Sequence, residues 1–326
     1  MKKARRQGLR YLLAAALIAA VPWSAAKADT YPSRPIRVIV PYPAGGGTDI
    51  IGRLISAQLS QHWGQGVIVE NKPGASGMLG NDLVAKAPGD GYTVLLGITA
   101  LVQIPSLYKK VPYRLSDLTP VSQTAKSADL VMVPRSSGIK SLQEFVDKAK
   151  AEPGKFNFGS YGNATSSQLN GEQFKMKAGI DLTHVPYQGS GPEMAAMLGG
   201  QLASAFVDAT GAYPHIKSDK ITVLAITGQQ RHPALPEVKT MAELGYPGFE
   251  ANGWFGFFLP ASTAQPIVDK LGAELSAIVR QPEISKRLSD MGLIPVGSSP
   301  QEFRAVLDKD AAHWKAIVDA ARISVE

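Results

Sequence analysis

Ile36-Arg-Val-Ile-Val-Pro-Tyr-Pro-Ala-Gly-Gly-Gly-Thr-Asp49 runs directly into Ile50-Ile-Gly-Arg-Leu-Ile-Ser-Ala-Gln-Leu59. Ile36–Val40 reads as a strand, and Ile50, Ile51, Leu54, Ile55 and Leu59 recur at helical spacing. A strand, a glycine-rich loop and a helix form the repeating unit of an α/β sheet. Ligands of such sheets sit beyond the carboxyl ends of the strands, so this loop is the first place to look for chemistry. Three glycines allow the backbone to approach a ligand closely. A helix beginning at Thr48 or Asp49 leaves unpaired N–H groups and a positive dipole end, an anion site that needs no charged side chain. The plainer alternative is a turn that only redirects the chain, but three glycines exceed what a turn requires. Asp49 would repel a ligand carboxylate, so it is expected to hold the helix start or the loop backbone. Nucleotide motifs fail here: GxxxxGK followed by Ser or Thr is absent, and Ile50 stands where GxGxxG needs its last glycine.

Strands and helices alternate on both sides of this unit. A short strand at Val67–Val69, a helix near Gly80–Ala87 and a strand at Tyr92–Ile98 complete a first set. A second set starts near Leu130–Val133. Its helix Ser141–Ala151 has Ser141 as cap and Glu144 at the third helical position, the capping-box pattern. A strand at Phe156–Phe158, a helix at Leu169–Lys177 and strands at Thr183–Val185, Ala203–Val207 and Thr222–Thr227 follow. Pro192 is expected as the first residue of a helix Glu193–Leu198. Trp254–Leu259 reads as a strand whose aromatics pack core and hinge, and two amphipathic helices are expected to close the chain.

The chain has 326 residues, enough for two lobes of roughly 150 residues that each bury a core. With no cysteine, a disulfide scaffold, a thiolate zinc site and a cysteine nucleophile are excluded. The formal charge of +7 belongs largely to residues 1–28, which carry Lys2, Lys3, Arg5, Arg6, Arg10 and Lys27 and no acid. Without those six, 28 basic residues face 27 acidic ones, so the charge is no argument for nucleic acid. That basic head, the apolar stretch Leu12–Val21 and small residues before a cut after Ala28 have the layout of a secretory signal peptide. The apolar part is shorter than the about 20 residues of a membrane span. Ordinary export to the periplasm is expected; twin-arginine export through Arg5-Arg6 and an uncleaved anchor are the alternatives.

Other strand-to-helix loops extend the candidate site. Ser76 lies in Asn71–Gly77, and Thr99 follows the strand Tyr92–Ile98. Ser160, Asn163 and Thr165 supply polar groups in Gly159–Thr165, with Gln168 just beyond. Tyr187 and Gly189 lie in Tyr187–Gly191, and Asp208 closes Ala203–Val207. Uncharged donors of this kind can bind a carboxylate and still release it. Catalytic motifs are weak: GxSxG and HExxH are absent, and the five histidines show no ligand spacing. No metal or cofactor is expected. A spatial Ser/His/Asp trio, as in a periplasmic hydrolase, stays open as the alternative.

Tyr31–Asp49 resembles the start of the receptors of tripartite tricarboxylate transporters, the Bug proteins. The likeness continues through Glu70–Gly77, Pro105–Lys110, His184–Tyr187, Leu198–Gln201, Pro233–Val238 and Trp254–Gly256. It implies a periplasmic binding protein of α/β class with two lobes, each a mixed sheet flanked by helices, closing around a small organic acid. The lobes are expected over residues 29–126 with 250–326, and over 127–249. It also implies a mono- or dicarboxylate ligand, possibly aromatic, held through water and backbone groups of the first two loops. Carried over by motif, Tyr42, Ala44, Gly45, Gly46, Thr48 and Ser76 serve the first lobe. Thr99, Ser160, Asn163, Thr165, Tyr187, Gly189 and Asp208 surround the rest of the cleft. Gln168 departs from the histidine of many members, replacing a possible cation with a neutral amide. The expected partners are one large and one small membrane subunit, with the receptor itself a monomer. An accessory that presents ligand to a membrane sensor kinase would use the same pocket.

Overall fold

The computed structural model describes residues 31–249, 253–321 and Ile323. The signal-peptide segment 1–28 lies outside them, as does Glu250, where the second stretch of the first lobe was expected to begin. Both sheets belong to the unit Arg34–Glu326.

The first sheet grows from the quoted stretch. β1 (Ile36–Val40) pairs in parallel with β2 (Val67–Asn71) and β3 (Thr93–Ile98). α1 (Gly47–Trp63) and α2 (Met78–Ala85) connect them, and α3 (Ala100–Leu107) follows β3. The chain then enters β4 (Leu118–Ser127), which the sequence reading missed. Pro120, Ser122, Gln123, Thr124 and Lys126 disguise it, yet Ser122, Gln123 and Thr124 are buried. Ser122 Oγ donates to Ser298 O at 2.7 Å and the Gln123 backbone N–H donates to Ser298 Oγ at 2.9 Å, whereas Thr124 Oγ1 has no partner among the described residues.

The second sheet begins one residue later with β5 (Asp129–Pro134). α4 (Leu142–Ala151), β6 (Phe156–Ser160), α5 (Ser166–Ala178), β7 (Leu182–Pro186), α6 (Ser190–Leu198), β8 (Ser204–Asp208), the short α7 (Ala209–Ala212) and β9 (Ile221–Ile226) follow. Ser141 does cap α4, accepting the Glu144 N–H at 3.2 Å, but Glu144 reaches back to the Lys140 N–H rather than to Ser141. Pro192 is the third residue of α6, not the first. Gly189 caps that helix, and proline is still accommodated because the first turn has N–H groups without helical partners.

β10 (Gly253–Pro260) returns the chain to the first sheet, and α8 (Gln265–Arg280), α9 (Pro282–Asp290), β11 (Ile294–Pro295) and α10 (Pro300–Ala321) close it. Three helices therefore end the described chain where two were expected. Gln281-Pro282 separates α8 from α9, because proline pushes the residue before it out of helical geometry.

The strand orders are β11-β4-β10-β3-β1-β2 and β7-β6-β8-β5-β9. In the second sheet, Val131, Val133 and Phe206 pack with Phe145, Phe158 and Phe174 on one face. Leu130, Met132, Ala205 and Val207 pack with Met194 and Met197 on the other. This is the two-residue alternation of a sheet covered on both sides. Trp254 and Phe258 are core residues of the first sheet, as expected. Ala164, in the loop before α5, and Leu169, in its first turn, join that same cluster, so the two lobes share an apolar contact. Among the described residues, no helix is long and apolar enough to cross a membrane.

Candidate ligand site between the two sheets

The parallel strands of each sheet end in the loops singled out from sequence. Gly46 caps α1 in extended geometry, and its carbonyl accepts the Ile50 N–H at 3.0 Å. Asp49 turns back toward the loop. Its Oδ2 accepts the Gly45 N–H at 2.9 Å and Arg53 Nε at 3.0 Å, while its Oδ1 accepts Asn71 Nδ2 at 3.0 Å. The same Asn71 Nδ2 also donates to Tyr42 O at 3.0 Å. Burial pushes the Asp49 carboxyl up, but the bonds from Arg53, Gly45 and Asn71 outweigh it and hold its pKa below the ordinary value. Asp49 thus holds the backbone, as its charge requires, and the Gly45 N–H is committed to it. The N–H groups of Gly46, Gly47 and Thr48 have no acceptor among the described residues. Ala44, Gly45 and Gly46 are exposed, whereas Thr48 is buried.

The next loop is wound against the first. Ser76 Oγ lies 3.3 Å from the Tyr108 hydroxyl, and Tyr42 Oη donates to Ser76 O at 3.5 Å. Burial beside Tyr113 raises the Tyr42 phenol well above its usual value, so it remains a donor. Ala75 and Ser76 take φ values of 48° and 55°. Among the described residues, the remaining non-glycine with positive φ is Ala164, at 57°, in the loop before α5. Each such residue costs about 1–3 kcal/mol, and strain of this kind concentrates at binding sites. Gln168 supports the strained Ala164 by accepting its N–H on Oε1 at 2.7 Å.

The remaining candidates, Thr99 at the end of β3 and those of the second sheet, divide into residues already engaged and residues with free capacity. Thr99 Oγ1 accepts the Trp254 N–H at 2.7 Å, where β10 enters the first sheet. Ser160 Oγ meets His184 Nε2 at 2.6 Å, and Thr165 Oγ1 donates to Gly162 O at 2.6 Å. The N–H groups of Tyr187 and Gly189 go to Ser160 O at 2.9 Å and Tyr161 O at 3.1 Å. Asp208 caps α7: its Oδ1 accepts Thr210 N–H at 2.9 Å, Gly211 N–H at 3.2 Å and the Thr210 hydroxyl. The Asn163 side chain, half-buried, has no partner among the described residues.

The two sets of loops face each other. A Cβ on Gly47 would stand 2.5 Å from Thr210 Oγ1, so glycine is needed there to let the glycine loop meet the Asp208 loop. Gln103 Nε2 of α3 donates to Ser166 Oγ of α5 at 3.0 Å across the same seam. A surface depression of about 440 Å³ lined by Pro134, Arg135, Met197 and Lys220 lies at the far end of β5 and holds none of these residues.

Two lobes meeting through strand-end loops, with a glycine loop and helix start on one side, define a receptor geometry. The family model of the tripartite tricarboxylate transporter family receptor matches residues 51–323. This chain belongs to that family.

The receptor is 34% identical to protein BugT of Bordetella pertussis over 294 residues, 89% of this chain and 90% of BugT. An R. palustris protein solved with adipate superposes with a TM-score of 0.85 at 31% identity, covering 90% of this chain and 99% of that one. MatC from Rhodopseudomonas palustris, solved with malate, gives 0.80 at 30% identity over 88% and 100%. The protein is therefore a two-lobed solute-binding receptor of a periplasmic binding-protein family. Several residues that fasten these loops escaped the sequence reading: Asn71 as a bridge between loops, Tyr108, Gln103 and Thr210. Asn71 opens a loop already singled out, but the rest carry no local signal because tertiary contacts alone bring them together.

Proposed function

We propose that the receptor captures a small mono- or dicarboxylate and presents it to the two membrane subunits of a tripartite transporter. The supporting observation is the row of N–H groups at Gly46, Gly47 and Thr48, unclaimed within the described protein and held in place by Asp49. Such a row binds an anion without a fixed cation, and so releases it without breaking a salt bridge. Tyr42, Ala44, Gly45 and Ser76 shape the first-lobe wall in this reading. Thr99, Ser160, Asn163, Thr165, Gln168, Tyr187, Gly189 and Asp208 shape the remainder. The lobes divide between β4 and β5 and again ahead of β10, with closure favoured when ligand satisfies both sides. Acids bound by relatives, adipate and malate, support the ligand class.

A panel of aliphatic and aromatic mono- and dicarboxylates tests this by thermal shift of the exported protein. At least one member is expected to raise Tm in a concentration-dependent manner. No shift across the panel rejects the reading.

One contact favours a second reading. Ser160 Oγ and His184 Nε2 are 2.6 Å apart, as a nucleophile and its base would be. Against it, burial and the nearby Lys175 push the His184 pKa down to about 4, leaving a weak base at neutral pH. No carboxylate bonds the imidazole among the described residues. Ester turnover that vanishes in Ser160→Ala would establish the hydrolase instead.

A further inference from the structure

The four-residue helix α7 of the second lobe is held on three sides, two of them by the first lobe. It starts at a crossover between the lobes: the Ala209 N–H donates to Ala128 O at 3.1 Å and to Ser127 Oγ at 3.4 Å, between β4 and β5. The other crossover enters β10 at Gly253, the register partner of Ser127, so the two lie side by side. Within its own lobe, α7 is packed against the start of α6, because a Cβ on Gly211 would run into Ser190. On the first-lobe side it meets two glycines. A Cβ on Gly292 would stand 2.5 Å from the Tyr213 ring, in the turn that continues α7, and 3.1 Å from Ala209 Cβ. A Cβ on Gly47 would stand 2.5 Å from Thr210 Oγ1 and 3.2 Å from Thr210 Cβ. Carbon atoms in ordinary contact are about 3.5–4.0 Å apart, so neither position has room for a side chain.

The two glycine contacts differ in leverage. Gly292 leads into β11, which pairs with β4 at Ala125 and Lys126, next to the crossover. Gly47 follows β1, which stands three strands away from β4, about 14 Å across the sheet. Rotation about the crossovers therefore moves the Gly292 contact little and the Gly47 contact more. Opening lifts Thr210 off Gly47, and closing presses the two together. The Thr210 hydroxyl is bonded to Asp208, and a β-branched side chain has little rotamer freedom, so the contact is stiff. We propose that Thr210 is a positioning residue that stops lobe closure against Gly47, and that the gap left at this stop selects the acid by length. This rests on the carboxylate-receptor reading and adds a specificity rule to it. An acid held by Gly46–Thr48 on one lobe reaches the second lobe only if its length matches the closed gap. A methyl at Gly47 needs about 1 Å more room to reach ordinary contact, enough to separate a short acid from its far partners.

Three homologous series read the stop by calorimetric titration of the exported receptor: acetate to hexanoate, malonate to suberate, and benzoate to 4-phenylbutyrate. Alanine suits a helix start, so Gly47→Ala is expected to fold. It is expected to move the best-bound member of a series to a longer acid, with the ratio of longer to shorter affinities rising about tenfold or more. Adding Thr210→Ala removes Oγ1 and is expected to bring that ratio back within about threefold of wild type, whereas Thr210→Val, which keeps the bulk, is not. Thr210→Ala alone lets the lobes close further and is expected to favour the shorter acids; it decides the matter should Gly47→Ala not fold. A loss equal at every length overturns the proposal, because it would place the effect of the added methyl on the N–H groups alone. A length preference unmoved by either substitution, or a shift that Thr210→Ala fails to reverse, also overturns it, with the carboxylate reading left intact. A wild-type receptor that binds none of these acids brings down both.

Discussion

Gly46 shows how one position can serve fold and ligand differently. Its φ of −78° and ψ of 167° suit any residue, and a Cβ there would meet only Pro43 O, at an ordinary 3.5 Å. Aspartate is, moreover, a preferred helix cap. Gly46→Asp is therefore expected to leave the ligand-free Tm unchanged or raised, while a like charge in the anion loop weakens carboxylate binding about tenfold or more. Titration of wild type and variant with the same acid checks this; equal affinities would take the loop out of the site. The glycine triplet was legible in sequence because no other residue type signals close backbone approach so directly. The side-chain duties were less legible. Asp208 was expected at the ligand, and the structure shows it capping α7 with one oxygen. A strand-terminal aspartate reads the same way in either role.

At the scale of elements, the start of α1 depends on its neighbour β2. Asn71 Nδ2 joins Tyr42 O and Asp49 Oδ1, so one side chain fastens the glycine loop to the second strand. Asn71→Ala leaves both acceptors without that donor. It is expected to cost about 1–3 kcal/mol of stability and to weaken ligand binding, since the loop loses its anchor. Urea denaturation and titration measure the two effects, and a variant as stable as wild type would show that the bridge contributes nothing. Most elements were visible through hydrophobic period: β1, the parallel strands of both sheets and the amphipathic helices. β4 was not, although it runs for ten residues through the middle of a sheet. Its buried Ser122 hydroxyl and Gln123 backbone N–H are met by Ser298, which lies far along the chain. A strand made acceptable by distant partners gives no periodic signal of its own.

For the whole molecule, stability should record the buried charges. Burial pushes Asp129 up to about 7; Asn170 and Tyr161 oppose this, and Asp208 adds to it. Burial likewise pushes Asp310 up to about 6. Both carboxyls hold a proton more tightly when folded than in the unfolded chain, where the pKa is about 3.9. Their contribution to stability is therefore complete below about pH 4 and is lost as pH rises through their folded values. His184 acts oppositely: its pKa is lowered to about 4, so its contribution falls as pH drops below about 6.5. Asp129→Asn removes its acid term and, with it, the repulsion that Asp129 exerts on Glu193. Relative to wild type, the variant should gain stability as pH rises from about 4 to about 7. Urea midpoints at several pH values test this, and an offset independent of pH would mean that Asp129 does not titrate in that window.

The α/β class, the glycine loop at the end of the first strand and the family of the receptor are all legible in the order of residues. These follow from local facts: apolar period sets strands and helices, and a run of glycines followed by a helix start has few physical uses. Which polar groups are already spent within the protein emerges only on folding. Asp49 consumes the Gly45 N–H, Asp208 caps a helix, and Asp129 and Glu193 are buried without a cation. A hydrogen bond is settled by distance and direction between atoms brought together by folding, and the order of residues along the chain does not contain those quantities.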